Sequence, residues 1–135
     1  MEADDMKMPI TRTRFIPTMV LWALVSGVAL ADEPSEGEAL FKRQCAVCHS
    51  VVPGQTLMGP SLAGVVGRPA GILEGFRYSR AMKDAGFVWN AKELDSFIES
   101  PRKHVPGTNM SYPGERRPEK RTAIIEYLAQ LSTDD

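Results

Sequence analysis

The sequence predicts an all-α fold, one small domain of short helices joined by Gly/Pro-rich loops. Three observations carry that expectation. Apolar residues recur at helical spacing, most clearly Ile124, Ile125, Leu128 and Leu131, which share one face. Helix-start signals, Ser35 with Glu38 and Asn90 with Glu93, stand ahead of apolar clusters. No stretch shows the strict alternation of a half-buried strand. A length of 135 residues leaves room for one domain, and 24% charged residues is an ordinary composition for a folded soluble chain. The formal net charge of −1 argues against a nucleic-acid binder, because no dominant basic surface is available to neutralise phosphates.

Residues 1–31 read as a secretory signal peptide. Arg12 and Arg14 precede an apolar run from Phe15 to Leu30, and Ala29-Leu30-Ala31 supplies a small-x-small cleavage site. The run falls short of the ~20 apolar residues of a membrane span. Glu2, Asp4 and Asp5 are acidic where such peptides are basic, so a translation start at Met6 or Met8 gives the more regular leader. The competing reading, a retained membrane anchor, lacks a flexible tether between Ala31 and the domain that starts near Ser35. The expectation is an exported, periplasmic domain over residues 32–135.

Within that domain a helix is expected from about 36 to 47, with Ala39, Leu40 and Phe41 as its apolar cluster. From Ser50 to Tyr78 six glycines and three prolines interrupt any periodicity, which predicts loop. Such a long irregular stretch is unusual in a small domain. It becomes reasonable if it wraps a cofactor, and a chain of this size needs the extra apolar material because its own core is modest. Residues 79–85 predict a short helix stopped by Gly86. The next helix starts after Asn90, buries Leu94, Phe97 and Ile98, and stops near Ser100, because Pro101 disfavours helical geometry in the residue before it. Pro118, a favoured first-turn residue, opens the last helix.

The chemistry is concentrated in Cys45-Ala46-Val47-Cys48-His49. On one turn of helix, two thiols three apart lie on one side and reach the two vinyl groups of a haem, while the adjacent His49 turns a ring nitrogen onto the iron. This C-x-x-C-H pattern is the attachment signal of a c-type haem. The export signal strengthens it, because that attachment takes place outside the bacterial cytoplasmic membrane. A structural zinc site needs four ligands and finds only His104 beyond the motif. A thioredoxin-like dithiol needs an alternating strand–helix pattern, and two inert core cysteines leave the histidine unexplained. One covalently attached haem c, with its iron, is therefore the expected cofactor.

For the iron's sixth position the domain offers Met58, Met82 and Met110, with His104 the only other histidine. Met82 falls in the short helix at a spacing that suits ordinary packing. Met58 precedes Gly59-Pro60, close in sequence to the histidine side. Met110 ends Val105-Pro106-Gly107-Thr108-Asn109, where proline and glycine stiffen a loop that can return to the opposite haem face. Met110 is the expected ligand.

From Gly37 to Leu131 the chain resembles the class I cytochromes c, and in particular the soluble bacterial electron carriers closely related to the mitochondrial protein. Gly37 and Phe41 match first-helix positions that pack on Tyr127, and Gly59-Pro60-Ser61-Leu62 through Gly67-Arg68 matches the loop on the histidine side. Pro106-Gly107-Thr108-Asn109-Met110 matches the ligand loop. The resemblance implies a small class I cytochrome c fold, helices and Gly/Pro-rich loops wrapped around one haem. It implies that the Pro60 carbonyl holds the His49 ring, that Arg68, Tyr78 and Trp89 surround the haem propionates, and that Thr108 belongs to the cofactor site. Phe97 stands where the mitochondrial proteins usually carry a tyrosine, and Met82 where an asparagine often helps hold a buried water. Both departures make the methionine side less polar.

The function implied is that of a monomeric carrier of single electrons. With histidine and methionine on the iron no coordination position is open to oxygen or peroxide, so a haem enzyme or gas sensor is the disfavoured alternative. The resemblance implies a quinol–cytochrome c oxidoreductase as donor and a terminal oxidase or photosynthetic reaction centre as acceptor. Lys42, Arg43, Lys83, Arg102 and Lys103 are the candidates for a basic docking patch near the haem edge.

Overall fold

Two serines, an asparagine and two prolines set where the helices among the described residues begin. The computed structural model describes residues 33–131, with α1 (Glu36–Gln44), α2 (Arg80–Lys83), α3 (Ala91–Glu99), α4 (Pro101–His104) and α5 (Pro118–Gln130). The leader expected at residues 1–31 lies outside the described residues. Ser35 Oγ accepts the Glu38 N–H at 3.1 Å, Ser79 Oγ the Met82 N–H at 3.1 Å, and Asn90 Oδ1 the Glu93 N–H at 3.0 Å. Each bond satisfies a donor that a helix start would otherwise leave orphaned. The two capping glutamates turn their carboxylates elsewhere, Glu38 to Lys42 at 2.6 Å and Glu93 to His104 at 2.7 Å. Pro101 and Pro118 occupy first turns, where a missing N–H costs nothing.

Apart from α2, which is a single turn ending at Lys83 rather than running to 85, two features differ from the sequence reading. α1 ends at Gln44, not at 47, because the Ala46 N–H reaches back five residues to the Phe41 carbonyl at 3.0 Å and breaks the helical register. The Cys45–His49 motif is therefore built of turns, with the Cys48 and His49 N–H groups donating to the Cys45 carbonyl at 3.0 and 2.9 Å. The second difference follows Ser100. That residue is extended (φ −158°, ψ 92°), as the proline after it requires, but Pro101 at once starts the single turn α4, where no helix was expected.

Residues 50–78 are irregular, as expected, and join later chain through an isolated antiparallel bridge between Pro69 and Val88. The Ala70 N–H donates to the Phe87 carbonyl and the Trp89 N–H to the Arg68 carbonyl, both at 2.9 Å. The core forms where α1 meets α5. At Gly37 an added Cβ would lie 2.1 Å from the Ala123 carbonyl oxygen and 2.9 Å from Tyr127 Cβ. That close approach lets Phe41 pack on Tyr127, with ring centroids 5.5 Å apart, over the buried Leu40, Ile124 and Leu128.

Arg121 is buried on the same helix. Its guanidinium donates to the Asp95 carboxylate at 2.7 and 3.2 Å and to the Glu115 and Arg116 carbonyls at 3.1 Å each. A covered cation is costly unless paired this fully, and the pairing ties α5 to α3 and to the segment that enters α5. Among the described residues no helix is long and apolar enough to cross a membrane.

The α1–α5 crossing yields a direct test. Gly37→Ala drives a methyl into a backbone carbonyl that a helix cannot easily move, and overpacking at the upper end of its range of about 1–3 kcal/mol outweighs the gain of about 1 kcal/mol in helix propensity, a net loss of up to about 2 kcal/mol. Thermal unfolding should show a clear fall in midpoint, with exposed Glu36→Ala as the near-neutral control. An unchanged midpoint for Gly37→Ala would contradict the crossing described.

Candidate cofactor site

The turns after α1 carry Cys45, Cys48 and His49 into the wall of a cavity of about 610 Å³, within the size range of small-molecule and cofactor sites. Leu62, Val65, Leu94, Phe97, Ile98, Ile124 and Leu128 give that cavity its apolar surface. Both cysteines are free and half-buried. Burial pushes the Cys45 thiol up to about 11, with the Cys48 thiol adding in the same sense.

His49 is held from two sides. Its Nδ1 donates to the Pro60 carbonyl at 2.8 Å. A carbonyl only accepts, so Nδ1 carries the proton and Nε2 keeps a bare lone pair. The ring lies against Gly59, where a Cβ would come within 2.4–2.9 Å of the imidazole atoms, and the Gly59 N–H donates to the Cys48 carbonyl at 2.8 Å. Burial pulls the imidazole below its ordinary 6.5, the Pro60 bond opposes, and the Arg68 charge adds to the lowering. The result is a neutral ring with one nitrogen available to a metal.

Arg68 braces the same wall. Its Nη1 and Nη2 donate to the Ala63 and Ser61 carbonyls at 3.1 and 2.9 Å, which leaves further guanidinium donors at the cavity. Ser61, itself almost fully buried, donates through Oγ to the Val52 carbonyl at 2.8 Å. Burial raises the Tyr78 phenol above its ordinary 10.0, against the opposing charge of Arg68. Trp89 is buried with its ring edge-on to Phe87 and Phe97, at centroid distances of 4.8 and 5.1 Å.

On the stiff loop, Thr108 Oγ1 accepts the Met110 N–H at 3.3 Å. Gly107 has φ +93°, and a Cβ there would press on Ala81 Cβ at 3.1 Å, so glycine lets the loop pass close to α2. Met58, Met82 and Met110 all line the cavity, but in different settings. Met58 is 73% exposed, Met82 is buried on α2, and Met110 is half-buried at the end of the loop. His104 is not in the cavity lining. It is paired with Glu93 and packed on Phe87 at 5.4 Å.

The residues assigned to the cofactor site from the sequence, Cys45, Cys48, His49, Pro60, Arg68, Tyr78, Trp89, Thr108 and Met110, all line this one cavity. Sequence reasoning missed Gln44 and Tyr112 in the lining, and Glu115 behind them. The Tyr112 hydroxyl donates to Gln44 Oε1 at 2.6 Å and Gln44 Nε2 donates to Glu115 Oε2 at 3.0 Å. These partners lie 68 and 71 residues apart in the chain, a separation at which no local pattern exists. Of the five residues considered for a basic patch, Lys42 is already paired with Glu38.

The donor set fits a haem c. Two thiols sit within one short run of turns, a neutral imidazole presents a bare nitrogen, and apolar side chains make up most of the wall. The chain matches the family model described as Cytochrome c over residues 34–132. It is 48% identical over 105 residues to cytochrome c2 of Rhodopila globiformis, covering 78% of this chain and 99% of that protein. Against cytochrome c of Ginkgo biloba it is 36% identical over 104 residues, covering 76% and 92%. The solved structure of cytochrome cH from Methylobacterium extorquens superposes with a TM-score of 0.66 at 38% identity, over 70% of this chain and 95% of that one.

The electrostatics behind the cavity mouth give a pH test. Glu115 is nearly covered, and hydrogen bonds from Arg117 hold its carboxyl near 2 against an ordinary 4.5. A depressed carboxylate stabilises the fold above its unfolded-state value and loses that effect as pH falls through the folded one. The stability difference between wild type and Glu115→Gln, read by denaturant unfolding, should be constant from neutral pH to about 4.5 and close toward about 2. A difference independent of pH across that window would refute the assignment.

Proposed function

The chain belongs to the cytochrome c family, and from that premise we propose that it is a periplasmic carrier passing single electrons between membrane-bound complexes, with His49 and Met110 as the iron's protein ligands. Members of the family carry covalently attached haem c and are electron carriers, not enzymes. When bound, the haem supplies an iron that takes up and releases one electron. What carries the ligand reading is the convergence of Cys45, Cys48, a neutral His49 and the loop-borne Met110 on one largely apolar cavity.

In this reading Cys45 and Cys48 hold the group through thioethers and His49 Nε2 is directed to the iron by the Pro60 bond on the far side of the ring. Met110 presents a thioether, which favours the ferrous state and raises the potential over a second histidine. The packed aliphatic and aromatic wall excludes water, which strengthens every polar contact inside and keeps small oxidants from the metal. The free donors of Arg68 and the Tyr78 hydroxyl are suited to the cofactor's carboxylates.

The reading also includes removal of residues 1–31 as an export signal. A quinol–cytochrome c oxidoreductase would be the donor, and a terminal oxidase or photosynthetic reaction centre the acceptor. Electron-transfer contacts of this kind are small and short-lived.

Met110→Ala tests the reading, with Met58→Ala and Met82→Ala as controls. Met110→Ala should lose the far-red sulfur-to-iron band of the ferric protein, lower the potential and admit carbon monoxide to the ferrous iron. The fold should survive, because Cys45, Cys48 and His49 still hold the haem. Both controls should keep the band. Retention of the band in Met110→Ala with its loss in either control would overturn the assignment.

A further inference from the structure

The three side chains absent from the sequence reading form a continuous strap at the edge of the cavity. Tyr112 lies two residues beyond Met110, and Gln44 lies immediately before Cys45. Both line the cavity. The hydrogen bond between them joins the segment bearing the methionine to the end of α1.

Its polarity is fixed from the far end. Arg117 donates to both Glu115 oxygens, from Nε and Nη2, at 2.8 Å each, and its backbone N–H donates to Oε1 at 3.1 Å. Glu115 is itself placed by its N–H to the Ile98 carbonyl at 2.9 Å and by Gly114, where a Cβ would strike the Glu99 carbonyl oxygen at 2.1 Å. A carboxylate accepts only, so the Gln44 amide must turn its NH2 toward Glu115 and its oxygen toward Tyr112. The tyrosine hydroxyl is then the donor, and the chain of bonds runs with one consistent direction.

We propose that Tyr112 is a positioning residue: its hydroxyl, anchored by Gln44 and Glu115, fastens the Met110 segment to α1 and so limits how often the Met110 thioether can be displaced from the iron. The proposal rests on the reading of Met110 as a ligand. It makes the methionine side of the site a latch whose strength is set by one hydrogen bond between residues 68 apart. For a carrier, a latched thioether keeps the iron closed to external ligands while electrons pass.

The latch makes a quantitative demand. An external ligand binds only the unlatched fraction, so its apparent affinity rises by the same factor as that fraction when the latch is weakened. Loss of one ordinary hydrogen bond changes such an equilibrium by about 2- to 10-fold. The test is imidazole titration of the ferric holoprotein, followed by its absorption spectrum, for wild type, Tyr112→Phe, Gln44→Met and the double variant.

Without imidazole the far-red sulfur band should be present in all four. Each single variant should bind imidazole about 2- to 10-fold more tightly than wild type, and the double variant no more tightly than the stronger single one, because both substitutions remove the same bond. Denaturant unfolding separates a latch from simple structural support. A bond that survives displacement of the methionine lowers stability when removed but leaves imidazole affinity where it was. Unchanged imidazole affinity in Tyr112→Phe, or additive effects in the double variant, would overturn the latch while the band still supports Met110. A wild-type protein without the band would overturn the ligand reading and the latch with it.

Discussion

The bond from His49 Nδ1 to the Pro60 carbonyl is the constraint on which the site depends. It settles the tautomer, since the carbonyl can only accept, and thereby leaves Nε2 as the nitrogen with a lone pair available to a metal. It also pins residues 50–78, which have no helix of their own, to the turns that follow α1. Gly59 beneath the ring, Ser61 buried beside it and Arg68 reaching back to the Ser61 and Ala63 carbonyls extend that fixation along the wall. A stretch that would otherwise lose too much entropy on ordering becomes a wall with its polar groups satisfied.

The two sides of the cavity are held in different ways. The histidine side is built from hydrogen bonds between chain neighbours, such as Gly59 to Cys48 and Arg68 to Ala63. The methionine side is held by contacts that span the chain, Tyr112 to Gln44, Gln44 to Glu115 and Arg121 to Asp95. Local bonds close with little loop entropy, whereas long-range ones depend on the α1–α5 packing being in place first.

The parts of the fold legible in the sequence were those set by neighbours in the chain. Ser35 and Asn90 cap helices where their spacing said they would, and Pro118 opens α5. The turn α4 was not legible because Pro101 carries two opposite signals, an end for the residue before it and a start for those after. Glu93 read as half of a capping box, yet its carboxylate meets His104, eleven residues away and a turn of chain that had not been expected. In the site, Cys45, Cys48, His49 and the 106–110 loop were visible because their chemistry needs fixed short spacings. Buried Arg121 and the Tyr112–Gln44–Glu115 strap were not, since each joins residues more than 25 apart and a polar residue on a helix reads as solvated by default.

The measurement closest to the central claim is the state and exchange of the His49 ring protons in the reduced, diamagnetic holoprotein, read by NMR with nitrogen-labelled histidine. Nδ1 should carry a proton and Nε2 none, and the Nδ1 proton should exchange with solvent only as slowly as the most protected core amides, because releasing it requires global opening. A protonated Nε2, or an Nδ1 proton exchanging at the rate of an exposed loop amide, would contradict the account.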